Sequence, residues 1–158
     1  MDAYACIKGS LKAGYMNSGY PVAGVYQEWK SFNTQPYVSD THGGRYVNNY
    51  VNGTGRKAYG KYENVGAMPQ GSAIAKDSFA IKGNGQVVAG PLFVMEKMPP
   101  GWNPESGDWR YTLMMPNGNV VGKTRGIGAK NVGFCIDCHM PLGEDQDSLL
   151  FLPDALRK

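Results

Sequence analysis

Cysteine, histidine and charge are all scarce in this chain, and each scarcity excludes a class of protein. Three cysteines in 158 residues cannot supply the dense disulfide framework of a small secreted scaffold. A closed zinc site takes about four ligands. With only three cysteines and two histidines, a zinc site would have to recruit Cys6, His42 and carboxylates, and no second ligand pair supports one. Charged residues make up 18% of the chain, with 16 basic against 13 acidic side chains, and the basic ones are scattered. That spacing offers no patch for nucleic acid or an anionic membrane. No apolar run approaches the roughly 18 residues of a membrane span. The opening Met1-Asp2-Ala3-Tyr4-Ala5 has neither the basic start nor the apolar core of a secretory leader.

What the chain has in excess is glycine (22), proline (10) and tyrosine (10). That balance favours strands and tight turns over a helical bundle. The expectation is a mainly β (α+β) fold, an antiparallel meander with a few flanking helices, in one domain over residues 1–158. Residues 1–20 form a weakly determined N-terminal extension, where Ile7, Leu11 and Tyr15 are spaced for one helical face while Gly9 and Gly14 soften it. Tyr26, Trp29 and Phe32 are expected to cover one side of the core. Asp40 or Thr41 is placed to cap a helix running to about Tyr62, with Tyr46, Tyr50 and Val51 inward.

Strands are expected over Ser72–Ile81, Gln86–Val88 and Leu92–Met98, the first two joined by the hairpin turn Lys82-Gly83-Asn84-Gly85. Two more follow, with Trp109, Tyr111, Leu113 and Met115 alternating onto one face and Pro116-Asn117-Gly118 turning into Val120–Thr124. From Ala129 a short helix leads into Phe134-Cys135-Ile136-Asp137-Cys138-His139, and the tail Ser148–Pro153 is apolar enough to pack back.

That hexapeptide carries the most specific chemistry in the sequence. Cys-x-x-Cys-His is the attachment signature of a c-type haem: the thiols add to the porphyrin vinyl groups and the histidine ligates iron. One helical turn brings positions i, i+3 and i+4 to one face. A thioredoxin-type pair has the same cysteine spacing but follows an early strand of a βαβ unit, and no βαβ rhythm exists here. One covalent haem c is therefore expected, held by Cys135 and Cys138 with His139 on the iron. Covalent attachment of this kind belongs outside the cytoplasm, so the chain reads as a periplasmic protein whose leader has been removed. Cys6 is left over as a plain surface thiol or a partner for an intermolecular disulfide.

The other side of the iron decides the chemistry, because an open position allows ligand binding or catalysis and a second strong ligand leaves only electron transfer. His42 could be that ligand, although Gly43-Gly44 implies a tight backbone instead. Met68, Met95, Met98, Met114 and Met115 read as core filler. Lys76 lies inside the apolar run Ala73–Ile81, where a solvent-facing edge lysine is the plain alternative. Asp77, Glu96 and Asp108 are the carboxylates in or beside strands; surface placement is the default, and proton relay is the functional option.

The succession Pro69-x-Gly71-Ser72-Ala73-Ile74-Ala75-Lys76-Asp77, Gly107-Asp108-Trp109 and Cys135-x-x-Cys138-His139 resembles the cytochrome P-460 family and its relative cytochrome c′-beta. The resemblance implies a mainly β homodimer with its haem near the C-terminus. It implies that Lys76 is cross-linked to the porphyrin, that His139 leaves the iron five-coordinate, and that hydroxylamine is oxidised with a redox-partner cytochrome taking the electrons. Asp77 or Glu96 would then be the distal acid. Kinship with cytochrome c′-beta instead implies an unlinked lysine and an iron that binds gases such as nitric oxide. The segments His42-Gly43-Gly44-Arg45 and Met98–Ser106 have no residue-by-residue counterpart in that resemblance.

Overall fold

A computed structural model describes residues 2–158, the side chain of Glu144 apart. Its centre is an eight-stranded antiparallel sheet: β1 (Lys30–Ser31), β2 (Tyr37–Ser39), β3 (Arg45–Val51), β4 (Ala73–Ile81), β5 (Val87–Ala89), β6 (Leu92–Lys97), β7 (Trp109–Met114) and β8 (Val120–Lys123). The main path runs β1-β3-β4-β6-β7-β8, with β2 on β3 and β5 on β4. The short helices are α1 (Ala3–Met16), α2 (Pro21–Val25), α3 (Arg56–Tyr59) and α4 (Gly133–His139). The mainly β, α+β expectation holds.

β4 is the central strand, and its alternation divides the molecule. Ala75 and Phe79 face a core built with Tyr50, Leu92, Val94 and Met114, covered by Ile7, Leu11 and Tyr15 of α1 and by Val22, Ala23 and Tyr26. Ile74 faces a second core with Val51, Trp109 and Tyr111, closed by Phe32, Tyr59, Val65, Met68 and Leu149. Successive residues of a strand point to opposite faces, so the register fixes which side chains share a surface. Lys76 is paired with Asn49 and Phe93, whereas Asp77 is paired with Asn48.

The N-terminal stretch is a full helix. Asp2 caps it by accepting from the Tyr4 amide at 3.0 Å, and Ile7, Leu11 and Tyr15 are its buried face as the spacing requires. Gly14 has a packing reason, because a Cβ there would collide with the Pro116 carbonyl oxygen.

Three expectations are corrected. The helix expected from Asp40 to Tyr62 is strand β3 followed by the single turn α3. Gly43 and Gly44 both take the left-handed conformation (φ 79 and 63), which ends any helix. Arg45–Val51 then finds antiparallel partners on both sides. Tyr26, Trp29 and Phe32 do not share one side: Tyr26 and Trp29 pack with the α1 core, and Phe32 with the other. Among the methionines, Met68 and Met114 are buried filler but Met115 is exposed, since it lies just past β7 on the hairpin turn, where its amide donates to Asn119 and its carbonyl accepts from Gly118.

Candidate functional site

Cys135, Cys138 and His139 fall on the one helical turn of α4, which enters from a 3-10 segment over Ala129–Val132. The spacing alone would give any helix this face; its position beside the sheet makes it a site. α4 stands over the second face of the sheet, and between them lies a cleft of about 730 Å³, counted to its open mouth. Lys76, Phe93, Met95 and Tyr111 from β4, β6 and β7 form one wall, Cys135, Cys138 and His139 another, and His42 reaches in from the β2–β3 connection. Phe134 and Leu150 stand at the cleft with much of their surface exposed. The sequence-expected residues Lys76, Cys135, Cys138 and His139 are thus brought together.

The histidine is held in one tautomer. His139 Nδ1 lies 2.7 Å from the Ser148 carbonyl oxygen, which can only accept, so Nδ1 carries the proton and Nε2 keeps its lone pair. Burial lowers the His139 pKa, so the imidazole is neutral, as a metal ligand must be. Its ring leans on Tyr111 at 5.3 Å between centroids.

The two thiols are free, Cys135 half-buried and Cys138 exposed. Burial pushes the Cys135 thiol up to about 11, which leaves it protonated at neutral pH. A dithiol redox centre needs the opposite, a thiolate stabilised near neutrality. The zinc alternative is not assembled either. Cys6 sits exposed on α1, across the sheet, and among the described residues no three His, Cys, Asp or Glu side chains converge on a metal-sized site.

Lys76 is half-buried and faces the cleft rather than solvent at an edge, because β4 has neighbours on both sides. Burial brings its pKa down to about 8, so a usable fraction of the amine is neutral and nucleophilic at ordinary pH.

Asp77 and Glu96 are elsewhere, and the expectation that either is the distal acid is corrected. Asp77 is fully buried on the opposite face. There its Oδ2 accepts from Tyr4 (2.7 Å) and Tyr26 (3.0 Å), and its Oδ1 from Asn48 (3.0 Å). Glu96 also points to that face, where it takes a two-pronged ion pair from Arg110 (2.8 and 3.0 Å) and a hydrogen bond from Tyr20. The period-2 pleat settles both cases. Asp108 is spent on its own loop, accepting from the Gly101 and Asn103 amides. Among the described residues, no carboxylate lines the cleft.

His42 does line it. Its Nδ1 is 2.7 Å from Ser39 Oγ and its ring meets Phe93 edge-on at 4.7 Å. Burial first, then the Lys76 charge, holds its pKa down to about 2, so it is a neutral imidazole. The Gly43-Gly44 turn is tight as expected, yet it aims the ring inward.

An antiparallel sheet with a Cys-x-x-Cys-His helix over one face, a histidine tautomer fixed for coordination and two free thiols defines a β-rich cytochrome domain. The chain belongs to the cytochrome P460 family: a profile of that family, described as Cytochrome P460, matches residues 24–150, most of its length. No curated protein matches the chain. Family membership implies haem, and the cleft fits it on its own evidence. The Tyr111 hydroxyl is buried there without a partner, the kind of orphan that a bound polar edge satisfies. No helix of the described residues is long and apolar enough to cross a membrane.

Proposed function

We propose that the chain is a periplasmic mono-haem c-type cytochrome that oxidises hydroxylamine. The observation that supports this best is the convergence of Lys76 with Cys135, Cys138 and His139 on one cleft. Cys135 and Cys138 would hold the haem by thioether bonds, His139 Nε2 would ligate the iron, and Lys76 is the residue for a further bond to the porphyrin. When bound, the haem supplies an iron centre that cycles between oxidation states and accepts a small nitrogenous molecule. Conversion of hydroxylamine to nitric oxide releases three protons and three electrons, so an external acceptor, a redox-partner cytochrome, is required. Family kinship supports a homodimer as the working unit.

The chain's own residues divide the remaining tasks. In the tautomer whose Nδ1 accepts from Ser39 Oγ, His42 would present Nε2–H as a donor to a polar molecule in the cleft. Ile74, Phe93 and Met95 restrict bulk water and larger ligands. The test is turnover of hydroxylamine by the holoprotein with an artificial electron acceptor. Acceptor reduction dependent on hydroxylamine and lost in Lys76→Met supports the reading; no reduction by the haem-loaded wild type contradicts it.

One observation favours a second reading. A cleft lined in large part by apolar side chains, without a carboxylate among the described residues, suits a protein that binds nitric oxide rather than one that removes protons. Nitric oxide binding without hydroxylamine turnover is the outcome that selects it. His42 also lines the cleft, and if it ligated the iron the protein would be an electron carrier that ignores carbon monoxide.

A further inference from the structure

Behind His139 stands a polar network that no haem-attachment motif announces. The carbonyl that fixes the imidazole belongs to Ser148, and Asp147-Ser148 are consecutive non-glycine residues in the left-handed conformation (φ 45 and 60). Such a pair is strained and persists only where surroundings over-determine it. Here they do. Asp147 Oδ1 accepts from Lys97 Nζ at 2.5 Å, Oδ2 accepts from the Met68 amide at 2.7 Å, and its carbonyl accepts from Trp109 Nε1 at 2.9 Å. Lys97 Nζ also donates to the Gly107 carbonyl at 2.8 Å and sits 5.0 Å from the Trp109 ring centroid. Both charged side chains are largely shielded, at 14% and 11% exposure, which strengthens the pair over a surface one.

We propose that Lys97 and Asp147, with Trp109, are positioning residues for the iron ligand: they clamp the Asp147-Ser148 turn so that the Ser148 carbonyl takes the His139 Nδ1 proton in a short hydrogen bond. This rests on the reading of His139 as the ligand. A firmly held carbonyl draws the Nδ1–H outward and makes Nε2 a stronger donor, the effect that partners behind a metal-bound histidine have. A stronger donor stabilises the oxidised iron and so keeps the reduction potential low. The clamp is assembled from four separate stretches, at Met68, Lys97, Gly107-Trp109 and Asp147-Ser148. It therefore ties the proximal side to β6 and β7 rather than to α4 itself.

The experiment uses the haem-loaded wild type with Lys97→Met, Asp147→Asn and Trp109→Phe variants. It reads haem content, thermal unfolding, the iron–histidine stretching band of the ferrous protein and the reduction potential. Lys97→Met keeps the aliphatic stem over Trp109, and Trp109→Phe keeps an aromatic ring there while removing the indole N–H and part of the buried ring, so the thermal-unfolding readout is taken beside both, and both remain informative if Asp147→Asn does not fold. The expected result is a lower iron–histidine frequency and a higher potential in folded variants with full haem content. Unchanged band and potential in those variants overturns the clamp. A band that survives His139→Gly overturns instead the assignment of His139 as ligand, and the clamp with it.

Discussion

Lys76 and Asp77 are neighbours in the chain and work on opposite faces of one sheet. The lysine enters the cleft beside α4, while the carboxylate is sealed behind it among Tyr4, Tyr26 and Asn48. β4 thus joins the functional wall to a buried polar network with no side chain in common.

In the haem-free chain, the neutral fraction of Lys76 should control its reaction with an amine-directed acylating reagent. The pKa lowered to about 8 predicts half-maximal reactivity there. Exposed lysines titrate at about 10.4. Peptide mapping across a pH series checks this, and a Lys76 profile indistinguishable from the surface lysines contradicts it.

Asp77 should make stability depend on pH in an unusual direction. Burial raises its folded pKa above the unfolded value despite three hydrogen bonds. The native state therefore binds the proton more tightly. Its stabilising effect is complete below about pH 3.9 and is lost as pH rises through the folded pKa. Asp77→Asn removes that dependence and turns an amide N–H toward Asn48, costing about 1–3 kcal/mol. Urea unfolding of both proteins between pH 4 and 8 should show the wild type's advantage shrinking as pH rises.

Glu96→Gln should leave the haem untouched. The residue faces Arg110 and Tyr20, across the sheet from the cleft, and losing the charged pair should cost about 1 kcal/mol. Visible spectra and ligand affinity identical to wild type, with a modestly lower melting temperature, are expected. A shifted haem spectrum would count against the two-faced arrangement.

His42→Ala tests the distal wall. If Nε2–H donates to a bound molecule, its loss should speed dissociation of a polar ligand about tenfold, the equivalent of about 1.4 kcal/mol, while carbon monoxide still binds. Stopped-flow dissociation measures the first effect. A low-spin wild type that becomes carbon monoxide-reactive only in the variant would instead show His42 on the iron.

Much of this arrangement is legible from residue order. The Cys135–His139 turn, the hairpins at Lys82–Gly85 and Pro116–Gly118 and the apolar face of α1 rest on local spacing, which local structure obeys. β3 is misread because Tyr46, Tyr50 and Val51 also fit a helical spacing, and only its partner strands decide. The acids are misplaced for a related reason. Strand alternation is legible at Asp77, and it already separates that residue from Lys76, but the face that receives α4 depends on the whole sheet. Lys97, Asp147 and the Ser148 carbonyl carry no motif. Their hydrogen bonds join residues 9 to 79 positions apart and become visible only in three dimensions. The Gly43-Gly44 turn argues against His42 in the sequence, and no local rule supplies the direction in which that turn aims the ring.

Peptide mass spectrometry of the denatured, proteolysed holoprotein tests most directly whether a haem is held by α4 and reached by Lys76. The expected result is haem mass on the Cys135–Cys138 peptide that also carries the Lys76 peptide as a cross-linked species. Haem on the cysteine peptide with an unmodified Lys76 would contradict the second attachment and leave the gas-binding and electron-carrier readings. Haem on neither would contradict the account as a whole.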